Sequence, residues 1–386
     1  MKQAFFVGLW CGFFALAGNL LHAQEYNPVP VAVPSLQFAP DARGGGMGDI
    51  GVATMPDLYS QFWNAAKYPF ITGSSGGAIS YTPWLSKLVK DMHLLYATGY
   101  YKFGDNSLNA LSTSLRYFSL GSVDVFNQNE EYVTAVSPHE FAFDVAYSRK
   151  LTPTFSGAGT LRYIRADYSI GSDETSPGNA FAADIAGYNE SYFSVGRSEL
   201  LLGLGFNLSN IGTKISYDGN TTSMFLPANM RLGASLGCPI DRRNTLSVSF
   251  DINKLLAPTP QLPKEEETPE EMEKRIKDYN DISSIGGIFR SFGDAPGGFG
   301  EELQEIRWSL GAEYTYNNQF SLRTGYFHEH AYKGNLRYVT FGAGFRLKGF
   351  QLDVAYLLST SQSNPLDQTL RLSLGFDIDG IRTLLQ

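Results

Sequence analysis

Residues 368–379 read Gln-Thr-Leu-Arg-Leu-Ser-Leu-Gly-Phe-Asp-Ile-Asp. Leu370, Leu372, Leu374, Phe376 and Ile378 alternate with Thr369, Arg371, Ser373, Gly375, Asp377 and Asp379. Successive side chains of a strand point to opposite faces, so this stretch is a strand between an apolar phase and a wet one. The same alternation runs through 244–256, where Leu246, Val248, Phe250 and Ile252 interleave with Ser247, Ser249, Asp251 and Asn253. It recurs in 140–150 (Phe141, Phe143, Val145, Tyr147) and in 306–316 (Trp308, Leu310, Ala312, Tyr314, Tyr316). None of these apolar faces carries a charge, as a lipid-facing wall requires.

Fourteen such segments are expected, over 76–84, 92–103, 109–120, 140–150, 155–167, 180–193, 199–209, 228–238, 244–256, 306–316, 319–330, 337–347, 350–360 and 368–379. The links sort by parity. After even-numbered strands they are short, as at Asn317-Asn318 and Lys348-Gly349; after odd-numbered ones they are mostly longer, as at 121–139, 168–179, 210–227 and 257–305. Short periplasmic turns and longer external loops produce that asymmetry in a transmembrane barrel, whereas a soluble sandwich has no reason to sort its loops. The expected fold is therefore an all-β, 14-stranded antiparallel transmembrane barrel.

Composition agrees. Lys2 followed by the mostly apolar run Ala4 to Leu21, with Leu21-His22-Ala23 before Gln24, reads as a signal peptide over 1–23 and directs the chain to export; an uncleaved anchor is the alternative. Trp10 before Cys11 is too bulky for a lipidation site. Without the signal, Cys238 is the one cysteine left, which rules out an internal disulfide. The net charge of −8 argues against nucleic acid and against a polybasic membrane-surface protein. Mean hydropathy is slightly negative, and no later apolar run nears the length of a helical span.

Two regions fall outside the alternation. Residues 24–75, with Gly44-Gly45-Gly46-Met47-Gly48 and Gln61-Phe62-Trp63-Asn64, are expected as a periplasmic or plug segment that enters the barrel of 76–386 from the periplasm. Residues 257–305 form an external insertion. Thr268 is a candidate N-cap, Pro269 suits the first helical position, and Glu271 completes a capping box. Met272, Ile276 and Tyr279 share one face of that helix. Ile282, Ile285, Ile288, Phe289 and Phe292 form a second apolar set near helical spacing, weakened by Gly286 and Gly287. The set either contacts a partner or packs back on the barrel mouth.

Other motifs carry little. Gly46 to Gly51 matches G-x-G-x-x-G but lacks the strand-to-helix context of a nucleotide site, so its glycines read as close backbone packing. His328-Glu329-His330 shows no third ligand and reads as a polar rim. His93 and His139 have no serine arrangement of the kind a surface hydrolase needs. Asn189, Asn207 and Asn220 head glycosylation-type triplets of little weight in an outer membrane. No catalytic, metal or cofactor site is expected.

Residues 38–54, from Phe38-Ala39-Pro40-Asp41-Ala42-Arg43 through the glycine block to Ala53-Thr54, resemble the PorV family of type IX secretion system proteins of Bacteroidota. So do Gln61 to Tyr68 and Leu208 to Tyr217. The wider relatives are the FadL-like barrels with an amino-terminal plug, and Arg43, Gly46, Gly48, Asp49, Trp63 and Asn64 are its expected residues here. The resemblance implies a non-enzymatic outer-membrane cargo shuttle. Its implied partners are a translocon barrel of the Sov/SprA type, the C-terminal signal domains of cargo, an attachment complex with the PorU sortase, PorQ and PorZ, and outer-membrane lipid (LPS). Ile285, Ile288, Phe289 and Phe292 are the candidate contacts. A FadL-like channel for hydrophobic small molecules is the second reading. One departure is that the sequence runs past Phe376 to Leu385-Gln386, which puts in doubt recognition of a terminal aromatic by the assembly machinery.

Overall fold

A computed structural model describes residues 26–84, 91–126, 132–169, 176–196, 198–218, 223–263, 266–361, 364 and 366–385. The expected signal peptide and Asn220 lie outside them. Fourteen antiparallel strands close into one barrel in which every strand pairs with its sequence neighbours and the first pairs with the last. They are β1 (Ser75–Pro83), β2 (Met92–Phe103), β3 (Asn109–Leu120), β4 (His139–Lys150), β5 (Phe155–Asp167), β6 (Gly178–Val195) and β7 (Ser198–Gly212). After them come β8 (Asn229–Pro239), β9 (Asn244–Leu255), β10 (Ile306–Tyr316), β11 (Phe320–His328), β12 (Arg337–Leu347), β13 (Phe350–Ser359) and β14 (Leu370–Asp377).

The alternation fixes which face meets lipid. In β14, Leu370, Leu372 and Leu374 are exposed on the outside, whereas Arg371 and Ser373 are 2% exposed and point inward. Closure follows because β1 and β14 carry compatible patterns: Ile79 lies opposite Leu374 and Tyr81 opposite Leu372, so both apolar faces turn the same way. The register breaks once within the wall, between β6 and β7 at Ala183/Ile185, where Asn210 takes a left-handed conformation (φ 58°) and β7 carries an extra residue.

Loop parity holds. The β10–β11 link turns through Asn317 and Asn318, both at positive φ, the twist a tight hairpin demands. Two of the long links hold short hairpins of their own, Val123–Phe126 with Tyr132–Val136 and Ile215–Ser216 with Ser223–Met224, which the alternation did not single out. With short turns facing the periplasm, both ends of the barrel sheet lie on that side.

The amino-terminal segment lies inside the barrel, packed against the inner faces of the strands. Its start is at the external end: the Asn27 backbone N–H donates to Tyr332 O, in the β11–β12 link, and its amide to Pro260 O in the insertion. From there the chain descends past α1 (Ala42–Gly45) and α2 (Ser60–Trp63) to Ile71, whose carbonyl accepts from Lys102 near the periplasmic end. The physical reason is apolar. Val29 and Val31 pack with Phe225, Leu255 and Ala257 at the outer mouth, which holds this end there.

The insertion forms three helices, α3 (Pro269–Asn280), α4 (Ser284–Arg290) and α5 (Phe299–Gln304). The last was not anticipated. The capping box at Thr268 and Glu271 is present, and Ser283 caps α4 by accepting from Gly286 N. Gly287 packs tightly: a Cβ there would lie 2.8 Å from Phe225, so the glycine that weakens α4 is what seats it. Past β14 the alternation fails. Ile378 opens a helix, α6 (Ile378–Leu385), instead of continuing the strand, and Asp379 accepts hydrogen bonds from Ser74 N and Oγ.

Leu310, 48% exposed at mid-strand in β10, faces lipid. Leu310→Arg is expected to cost about 2–4 kcal/mol of barrel stability, measured by urea unfolding of the refolded protein in bilayers. An unchanged midpoint would contradict the lipid-facing assignment.

Candidate functional site

Mid-lumen charges are tolerable only when paired, since a buried ion without a partner loses its hydration with nothing in return. Glu313 of β10 sits between two arginines. Arg43 donates from Nε and Nη2 to its two oxygens at 3.1 and 2.9 Å, and Arg323 donates from Nε at 2.6 Å. Arg43 also holds Asp57 at 2.5 Å through Nη1, and Arg323 holds Asp353 at 2.8 Å. Tyr59 donates to the same Asp353 at 3.1 Å. One continuous network thus joins the inner segment to β10, β11 and β13.

The other expected inner residues are in this assembly. Asp49, at φ 61°, accepts from Arg371 and Tyr338, each at 2.6 Å. Gly48, at φ 81°, lies against the β11 backbone, where a Cβ would come within 2.8 Å of Tyr326 N. Gly46 approaches Gly342, so the glycine block serves close packing. Trp63 Nε1 donates to Asp41 at 2.7 Å, and the Asn64 amide donates to Val52 O and Gly187 O.

Several wet-face residues were not singled out as site residues. Asp251 accepts from Gly51 N and Val52 N. Arg162 binds Asp144 and Asp184, and Gln61 donates to Asp144 at 2.7 Å. Phe62 lies between two guanidiniums, Arg116 at 5.0 Å and Arg231 at 4.8 Å from its ring. The signal was present: each wall partner is a charged residue on the wet face of a strand.

The second feature is the insertion. Its base is polar: Lys254 donates to Glu302 and Glu305, and Lys333 to Glu301 and Glu305, at 2.5–3.0 Å. Tyr279 donates to Pro258 O, and Lys214 to Asn280 O. Its outer surface is apolar. Ile285 is 65% exposed, Phe289 75% and Phe292 51%, and α5 adds Phe299 at 77% and Leu303 at 52%. Of the expected set, Ile282 and Ile288 turn partly inward. Behind these helices, Ile276, Tyr279, Ile282 and Pro260 border a cleft of about 610 Å³. His328 stacks on Trp308 at 5.2 Å, and Glu329 lies 3.7 Å from Arg307, so that triplet is part of the outer rim.

The family model of the type IX secretion system protein PorV matches residues 21–262. No curated protein matches the chain. Solved structures similar to it include the toluene transporter TbuX of Ralstonia pickettii (12% identity, TM-score 0.47, covering 88% of this chain and 97% of that one). A FadL homologue of Pseudomonas aeruginosa is similar at 10% identity and TM-score 0.44, over 91% and 99% of the two chains.

Two outcomes follow. Glu313→Ala removes the carboxylate shared by two buried guanidiniums, leaving each with one, and is expected to lose about 3–5 kcal/mol, with Arg43→Ala/Glu313→Ala less than additive; urea unfolding of the single and double variants measures the coupling. In the insertion, Asp294 accepts from Thr259 N, and burial, aided by Glu302 and Glu305, pushes its carboxyl from 3.8 up to about 6. A raised acid binds its proton more tightly folded than unfolded. Its contribution is therefore full below about pH 4 and is lost as pH rises through about 6. Limited proteolysis of the insertion is expected to quicken across that window in the wild type, with the Asp294-dependent part absent in Asp294→Asn.

Proposed function

Because the chain belongs to the PorV family of type IX secretion system proteins, we propose that this outer-membrane barrel is a non-enzymatic cargo shuttle. It binds the folded C-terminal signal domain of a secreted protein as that domain leaves a translocon barrel of the Sov/SprA type. It then passes the cargo to a surface attachment complex that contains PorU, PorQ and PorZ. The observation that carries this reading is the exposed apolar set Ile285, Phe289, Phe292, Phe299 and Leu303 on the insertion, whose α5 end is tied to the barrel by four ion pairs and whose α4 is seated by Gly287 on Phe225. Such side chains lose free energy in water and gain it under a partner, and a pinned base spares the partner the ordering of a loose loop.

The inner segment supports the same reading by acting as a plug. Chambers within the barrel are lined by charge: two of about 220 and 280 Å³ are bordered by Arg43, Glu313, Arg323 and Asp353, and by Asp57, Glu190 and Arg346, and two more are small. One of about 20 Å³ is bordered by Arg116, Asp144 and Arg162, and one of about 50 Å³ by Arg231, Arg307 and Arg371. A channel for hydrophobic small molecules requires an apolar chamber, and buried guanidinium–carboxylate pairs oppose one. The barrel then serves as a membrane-held platform for the external loops.

The test uses Ile285→Asp/Phe289→Asp in the full chain. Both side chains are exposed, so the barrel is expected to assemble normally, as read by heat-modifiable gel mobility. Capture of a purified cargo signal domain is expected to fall at least about tenfold, since losing two apolar anchors at an interface typically exceeds 1.4 kcal/mol. Unchanged capture by the correctly assembled variant overturns the contact.

A further inference from the structure

Arg231, Asn253 and Arg307 stand side by side on β8, β9 and β10, paired in register and facing inward. Arg371 meets them across the lumen, and the three guanidiniums border one enclosed chamber of about 50 Å³. Cross-strand neighbours lie about 5 Å apart, so two cations on alternate strands repel unless something between them is negative.

The carboxylates on hand do not meet that need. Asp49 borders the chamber but is engaged by Arg371 Nη1 and by Tyr338. Glu329 lies 3.7 Å from Arg307, and Asp251 engages Gly51 N and Val52 N through Oδ2. Among the described residues Arg231 has no carboxylate within ion-pair distance. Its contacts are the rings of Phe62 and Trp63 and, through Nε, the Asn229 oxygen with the amide in its bonded orientation. Arg371 is 2% exposed, and its Nε and Nη2 have no protein acceptor. A buried guanidinium with free donors is costly, and groups of this kind in native proteins are met by an ion or an ordered water.

We propose that the chamber is a binding site for one small monovalent anion, of which chloride is the abundant example, held by Arg231 and Arg371 with Arg307 beside them. The volume fits: one water needs about 10–15 Å³ of such space, so this chamber takes a halide and its hydrogen bonds but not a bulky organic acid. The site joins Asp49 and Trp63 of the inner segment to β8, β10 and β14, so the anion pins that segment to the wall. Occupancy stabilises the folded barrel by mass action, because the unfolded chain has no such site.

The test is anomalous diffraction from crystals of the full-length barrel grown with bromide in place of chloride. A bromide peak within contact distance of the Arg231 and Arg371 guanidiniums is expected. Ordered water with no anomalous signal there overturns the proposal. In solution, the wild type is expected to unfold at a lower temperature in gluconate than in chloride of equal ionic strength. Arg231→Gln, which removes the charge but keeps a hydrogen-bonding amide, is expected to abolish both the peak and the halide dependence. An Arg231→Gln barrel that folds and keeps them in full also overturns the assignment.

Discussion

Glu313 is a carboxylate at the middle of a membrane-embedded barrel, and it is tolerable there because Arg43 and Arg323 reach it from opposite sides. Much of the rest depends on that pairing. Arg43 belongs to the inner segment and Arg323 to the wall, so the ion cluster fixes where the segment sits. Asp57, Asp353 and Tyr59 extend it. Without the segment, the wall would present Arg323, Glu313 and Asp353 to a lumen with fewer partners. Without the wall, Arg43 would keep Asp57 but lose Glu313. Wall and inner segment are therefore parts of one core, polar in the middle and apolar toward the ends, where Leu36 and Tyr68 pack.

The inner segment starts at the outer mouth, so it also connects the barrel interior to the external insertion. Val29 and Val31 pack against the residues that seat Tyr279 and Ile282, and Asn27 bonds Pro260 at the insertion's root. The helices above are oriented from below by this strap and by Lys254 and Lys333. The acidic side of α5 is turned to those lysines and Gly287 of α4 packs on Phe225, which leaves Phe289 and Phe299 facing out. The same arrangement that satisfies buried charge thus exposes apolar surface.

Barrel strands were legible because lipid and water impose a period of two: β2, β3, β5, β10 and β12 begin and end as the alternation indicated. The capping box at Thr268 was legible for the same kind of local reason. What the alternation could not give was decided by distant partners. Ile378 continues the apolar phase yet turns into a helix, where Asp379 reaches Ser74. The glycine block read as close packing, but its neighbours Gly342 and Tyr326 lie almost three hundred residues away. The charged wet-face residues Arg162, Asp144 and Asp184 were visible singly, and their mutual pairing was not. The direction of the inner segment rests on contacts of Val29 and Val31 that carry no periodic signature.

The central claim is that the outer surface engages folded protein cargo while the lumen is closed. Purification of the intact barrel from its native outer membrane, followed by mass spectrometric identification of co-purifying chains, tests it most directly. The account predicts a large translocon-type barrel and secreted proteins that share a C-terminal signal domain. Recovery of the barrel without those chains, and with a hydrophobic small molecule bound in its lumen, would contradict it.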